Sequence, residues 1–271
     1  MPRKQIVASQ DCWARARWPG RSNLRAPSLE ANLIGPMTPE VRAEFAKGSG
    51  GELGKQGRPG KMCSLRSSSA LTYNVFAPWS GHDLAPLAAA MGREIEDRTL
   101  RFERQFRHGL SSTPPNLDVA LDNDQPRPLG IECKFTEPYG PKKPRPRLDE
   151  KYFVGGRLRW TELGLPRCQA LAGGIGRTIE FKRLDAGQLL KHILGLAWAT
   201  KRAPRLSCIW FDSKCEEASE FSAEVRQFAS QVDPIVEFTP ISYQNVFARL
   251  RKGPEPMPGY VSYLETRYFP G

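Results

Sequence analysis

Within Ile131-Glu132-Cys133-Lys134-Phe135 an acid and an amine stand two positions apart. Side chains on an extended strand alternate with period two, so Glu132 and Lys134 share one face and Ile131, Cys133 and Phe135 take the other, apolar one. Upstream, Asn116-Leu117-Asp118-Val119-Ala120-Leu121 alternates too, sending Leu117, Val119 and Leu121 to a core and Asp118 to the opposite face. The turn-rich residues 122–130 are long enough to lay the two strands antiparallel, with Asp118 beside Glu132. Two carboxylates and a lysine are what phosphodiester hydrolysis needs. The carboxylates hold a divalent cation, which neutralises the phosphate and lowers the pKa of a bound water. The lysine orients that water or stabilises charge on the phosphoryl oxygens. On an exposed strand the same Glu-x-Lys is only a weakly stabilising surface pair, so the surrounding elements decide.

Those elements begin at Ser67–Ser69, an N-cap for a helix whose stripe is Leu71, Val75, Phe76 and Trp79. A second helix is expected over residues 85–98, with Leu87, Met91 and Ile95 on one side. In Thr99–Arg107, Leu100, Phe102, Arg104 and Phe106 alternate with Arg101, Glu103 and Gln105, the pattern of a strand. Residues 188–199 form an amphipathic helix burying Leu189, Leu190, Ile193, Leu194 and Ala197. The apolar run 206–211 reads as a central strand. A helix over 216–230, a strand over 235–239 and a helix over 243–252 complete the order. Helix, three strands, helix, strand, helix, strand, helix is an α/β fold with a mixed central sheet flanked by helices.

Composition narrows the partners. The 271 residues carry 40 Lys and Arg against 29 Asp and Glu, a net +11, which favours a polyanion, nucleic acid before membrane. The longest apolar stretch, 193–199, is far short of a membrane span, and the N-terminus has no apolar region of the secretory kind. Six cysteines without a CxxC pair exclude a zinc ribbon and a disulfide scaffold, and imply free thiols in a reducing cytoplasm. Residues 1–66 hold twelve Lys and Arg against five Asp and Glu, and residues 48–61 contain six glycines. They read as a flexible basic N-terminal arm, with a short helix at 39–47, ahead of a domain spanning 67–271.

Pro115-Asn116-Leu117-Asp118 followed by Glu132-Cys133-Lys134 resembles the PD-(D/E)XK nuclease superfamily, although Asn116 and Leu117 intervene in the usual Pro-Asp pair. The longer string Gly130-Ile131-Glu132-Cys133-Lys134-Phe135-Thr136-Glu137-Pro138-Tyr139 is similar to a family of bacterial restriction-endonuclease-like proteins. Ser67-Ser68-Ser69-Ala70 through Asn74 and Gln188-Leu189-Leu190-Lys191-His192 share that likeness, which covers roughly 67–250. The resemblance implies a restriction-endonuclease-like αβββαβ core and Mg²⁺-dependent hydrolysis of DNA, with Mn²⁺ able to substitute. It implies Asp118 and Glu132 as metal ligands, the Cys133 main-chain carbonyl as a further one, and Lys134 as the catalytic lysine. An additional upstream acid is expected, with Glu103 chosen over Glu94 and Glu96. The role implied is restriction of foreign DNA. The alternatives are a structure-specific nuclease of repair or recombination, and a non-catalytic DNA-binding module, against which the intact trio counts. Double-strand cleavage implies a homodimer, and a methyltransferase partner leaves no trace in the chain.

Further candidates surround the motif. Lys142, Lys143, Arg145 and Arg147 could contact phosphates, with Tyr139 and Tyr152 near them for base stacking, or form no more than a basic loop. Gln188 and Lys191 share a helix face and could touch DNA or support Glu132, or face solvent. Glu137 is a supporting group. His192 reads as structural, and neither it nor His82 or His108 is taken as a general base. Cys168, Cys208 and Cys215 could form a zinc site, but burial of Cys208 in an apolar strand makes simple buried thiols the better account.

Overall fold

The structure, a computed structural model, describes residues 2–20, 24–48, 51–55, 57–94, 99–110, 114–122, 127–140, 147–153 and 158–270. The N-terminal part comprises α1 (Pro2–Arg17), α2 (Pro39–Lys47) and a small ribbon of β1 (Gly54–Lys55) with β2 (Arg58–Pro59). After α3 (Ser68–Phe76) and α4 (Ala85–Ala90) come the antiparallel strands β3 (Thr99–Gln105), β4 (Asn116–Asp122) and β5 (Leu129–Lys134). Then follow α5 (Pro166–Gly174), α6 (Ala186–Thr200), β6 (Arg205–Trp210), α7 (Glu216–Gln231), β7 (Glu237–Ser242), α8 (Tyr243–Leu250) and α9 (Tyr260–Tyr268). The five-stranded sheet has the order β3-β4-β5-β6-β7, with β6 and β7 parallel to β5.

Local chemistry places the helices as their caps require. Thr38 accepts from the Val41 amide at the start of α2, Ser67 from Ala70 at α3, and Asp185 from Gln188 at α6. Val119, Leu121, Leu129, Ile131 and Cys133 pack with α3, α4, α8 and α9 on one face of the sheet. Leu206, Cys208 and Trp210 pack with α5, α6 and α7 on the other. No helix among the described residues is long and apolar enough to cross a membrane.

Several expectations need correction. Leu117 does not join Val119 and Leu121 but packs in the α6 core. It closes with Leu196 over Gly130, where a Cβ would come within 2.7 Å of Leu117 Cδ1. The helix expected over 85–98 stops at Ala90, and Gly92 follows with φ +72°; residues 95–98 lie outside the described residues. The last strand begins two residues later than expected, at Glu237.

Residues 1–66, expected to be a flexible arm, are folded into the domain wherever they are described. Ile6, Leu29, Leu33, Met37, Phe45 and Met62 are buried in the same core as α3 and α9. Of the glycines read as linker, Gly54 and Gly60 permit close packing: a Cβ on Gly60 would lie 2.1 Å from the Glu52 carbonyl oxygen. Arg267 on α9, fully buried, fastens this part down. It donates to the Asn32 carbonyl (2.6 Å), Asn32 Oδ1 (2.5 Å) and the Tyr263 hydroxyl (2.5 Å), and lies 4.3 Å from the Trp13 ring centroid of α1.

His108, just past β3, is also buried. Its Nδ1 accepts from the Leu110 amide (3.2 Å), and Nε2 has no hydrogen-bond partner among the described residues. Burial, with Lys151 and Lys191 nearby, lowers its pKa. The folded state thus favours the neutral ring, and its contribution to stability is present above the unfolded pKa, about 6.5, and is lost as pH falls below it. Urea midpoints are expected to fall between pH 7.5 and 5.5 in the wild type. His108→Gln should lessen that fall, and an unchanged slope would remove His108 from the account.

Candidate active site

The site lies where two strands part. The β4–β5 register pairs Val119 with Ile131, so one step further Asp118 stands opposite Glu132. There the ladder ends. The Cys133 amide donates to Asp118 Oδ2 (2.7 Å), and the Cys133 carbonyl accepts from the Ser68 hydroxyl at the start of α3 (3.1 Å). A side-chain oxygen and a helix-end hydroxyl have replaced the strand partner that these main-chain groups require.

On the other flank, Phe102 pairs with Val119 and Arg104 with Leu117, which brackets Glu103 opposite Asp118. Glu103, Asp118 and Glu132 therefore form one row across three strands. Glu103 has left-handed backbone (φ +49°), and its Oε2 accepts from Asn116 Nδ2 (2.8 Å). The row does not close into a three-carboxylate metal group: among the described residues no three His, Cys, Asp or Glu side chains do.

Glu132 is 1% exposed. Its Oε1 accepts from Lys134 Nζ (2.5 Å), which also donates to Gln188 Oε1 on α6 (3.1 Å). His192, one turn along α6, brings Nε2 to 3.1 Å from Glu132 Oε2. That is ion-pair distance, and a carboxylate oxygen has a second lone pair beyond that contact. The site thus holds a buried carboxylate oxygen with unused acceptor capacity.

Charge in the site is unevenly shared. Burial pushes Asp118 well above the carboxylate range, and the neighbouring Glu132 pushes it further. Burial opposes ionisation of Glu132 as well, but the Lys134 ammonium and then His192 outweigh it and bring Glu132 down to about 2. Burial takes Glu103 up to about 7. Lys134 is raised despite its burial, because Glu132, Asp118 and Glu137 surround it. One carboxylate of the row is firmly ionised and the other two favour their protons, the condition of acids crowded together with too little positive charge among them.

Of the residues singled out in the sequence, Asp118, Glu132, Lys134, Glu103 and Gln188 are brought together. Glu137 supports the strand end, its Oε2 accepting from the Phe135 amide (2.7 Å). Glu94 is exposed at the far end of the sheet, its carbonyl accepting from Arg205. Lys191 turns its ammonium over the Tyr152 ring (5.8 Å). Tyr139 and Tyr152, expected to stack on bases, are buried instead. Tyr139 donates to the Phe211 carbonyl and Tyr152 packs on Trp160 at 5.7 Å. Arg147 is exposed, donates to the Gly176 carbonyl (3.3 Å) and lines a cavity of about 770 Å³ with Phe153 and Arg177. Lys142, Lys143, Arg145 and Glu96 lie outside the described residues. All six cysteines are free, and burial takes the Cys168 and Cys208 thiols up to about 12.

Ser68 is the neighbour that sequence reasoning missed, and His192, read there as structural, lies against Glu132. The signal for His192 was present, since it stands at i+4 from Gln188 on the same helix face. Ser68 was hidden behind its neighbour Ser67, which accounts for the cap.

No curated protein and no solved structure matches the chain. The family model described as restriction endonuclease associating with ARP matches residues 11–269, taking in the N-terminal part along with the sheet and the site. With nearly its whole length so matched, the chain belongs to that restriction-endonuclease-like family.

Proposed function

We propose that this protein is a metal-dependent DNA endonuclease acting in restriction, with the strand fork as its active centre. The order α3–β3–β4–β5–α6–β6 supports reading the fold as the restriction-endonuclease-like αβββαβ core. The observation that carries the reading is the half-buried Asp118 beside the buried Glu132, with Lys134 against them, at the place where β4 and β5 separate.

The donors fit Mg²⁺ or Mn²⁺: two carboxylates and the Cys133 carbonyl are hard oxygen ligands, and waters complete the shell. Glu132 Oε2 keeps a lone pair beyond its contact with His192, and a dication held there would offset the carboxylate charge gathered along the row. When bound, the cation supplies a water of lowered pKa and neutralises the scissile phosphate. Asp118 and Glu132 orient that centre, and Lys134, held between Glu132 and Gln188, presents its ammonium to charge developing on the phosphate oxygens. Glu103 stands at the end of the row as a further acid, positioned by Asn116. The net +11 favours approach to a polyanion. Cutting both strands calls for a second copy.

Supercoiled plasmid incubated with the full chain and Mg²⁺ is expected to convert to nicked and linear forms, and EDTA to prevent it. A purified, folded protein that neither cuts with Mg²⁺ nor with Mn²⁺ would count against the proposal.

A further inference from the structure

Cys133 is gripped twice by one helix. Ser68 and Thr72 lie one turn apart on α3 and so present their hydroxyls along one face. The Ser68 hydroxyl donates to the Cys133 carbonyl (3.1 Å). Thr72 and Tyr243, both buried, lie within hydrogen-bonding reach of the Cys133 thiol and 3.3 Å from each other. The main-chain carbonyl and the side chain of this one residue are thus held by hydroxyls of α3, with α8 behind them.

The direction of that carbonyl matters. In an extended strand the N–H and C=O of one residue point to the same side. Since the Cys133 amide reaches Asp118 Oδ2, the Cys133 carbonyl also points into the fork, beside the Asp118–Glu132 pair. A carbonyl oxygen has two lone pairs, and Ser68 takes one, leaving the second for a cation. Ser68 is half-buried and Thr72 is buried, so the two hydroxyls meet Cys133 at different depths.

We propose that Ser68 is a positioning residue of the cation site, aiming the Cys133 carbonyl at the metal while Thr72 fixes the residue from behind. This rests on the metal-dependent reading of the fork given above. Ser68 does not touch the substrate. It acts by sparing the carbonyl a reorientation when the cation binds, as hydrogen-bonded supporting groups do in other metal sites.

The test is Mn²⁺ binding to the full-length, DNA-free protein, measured by calorimetry, with Ser68→Ala and the shape-matched pair Ser68→Thr and Ser68→Val. Ser67 keeps the helix cap in all three. Ser68→Ala and Ser68→Val are expected to bind Mn²⁺ about tenfold more weakly, and Ser68→Thr to stay near the wild type. In nicking assays the two hydroxyl-free variants should need correspondingly more Mg²⁺ for half-maximal rate. Melting curves report whether each variant is folded; if Ser68→Ala is not, the Thr and Val pair still isolates the hydroxyl. Equal affinity in Thr and Val variants overturns the positioning role, and the metal reading stands if Glu132→Ala has lost binding in the same experiment. Wild type and Glu132→Ala binding no Mn²⁺ alike overturns both.

Discussion

Glu132→Ala should lower Mg²⁺-dependent plasmid nicking at least about a thousandfold, and Lys134→Ala about a hundred- to a thousandfold, at pH 7.5. The two losses have different origins. Glu132 is the group on which the site converges: Lys134, His192 and the backbone turned toward Asp118 all meet around it. Its removal takes away a metal ligand and leaves the Lys134 ammonium with Gln188 as its remaining hydrogen-bond partner. Lys134→Ala leaves both carboxylates but removes the cation that holds Glu132 ionised, so Glu132 and the half-buried Asp118 then compete for protons. Metal affinity should therefore survive better in Lys134→Ala than in Glu132→Ala, and calorimetry with Mn²⁺ alongside the nicking assay separates the cases. Glu132→Gln keeps the volume and one acceptor and serves as the milder control. Nicking by both variants at the wild-type rate would place the activity elsewhere.

The second large effect concerns stability. Arg267→Ala is expected to cost about 3–5 kcal/mol and to lower the melting temperature by roughly 10 °C. The guanidinium is fully buried, and its described hydrogen bonds go to neutral groups: the Asn32 carbonyl and amide, the Tyr263 hydroxyl and Gln10. Alanine would leave Asn32 Oδ1 without this donor and the Asn32 carbonyl with Asn74 Nδ2 (3.1 Å), and would remove the stacked face against Trp13 and Tyr268. The loss should first appear at α1, as faster proteolysis within residues 2–17. A melting shift below about 2 °C, within the range of ordinary surface substitutions, would show that water or neighbours replace the guanidinium at little cost.

Period-two alternation is a short-range signal, and it carried the site well. Glu132 and Lys134 shared a face, and Asp118 stood across the strand pair, as their spacing required. Glu103 was legible for the same reason, although nothing in the sequence announced its left-handed backbone. Where alternation failed, at Leu117, the side chain lies in space that Gly130 on the next strand leaves open. Tyr139 and Tyr152 looked available because they flank a basic loop, yet burial depends on partners such as Phe211 and Trp160 that are distant in sequence. The N-terminal part was misread for a related reason. Glycine-rich composition signals freedom in an unfolded chain, but at Gly60 it serves contact between backbones. The helix α1 is mostly polar in sequence, and its burial on α9 is a contact between residues some 250 positions apart.

That last contact orders events during synthesis. At the usual 5–20 residues per second, α9 leaves the ribosome on the order of tens of seconds after α1. Throughout that interval Ile6, Gln10 and Trp13 lack the part of their seat that α9 supplies. The nascent chain can assemble the meander β3–β4–β5, and with it the fork, before its own beginning is tied down. The row of carboxylates takes shape from neighbours in sequence, whereas the clasp that secures the domain waits for the last helix to emerge.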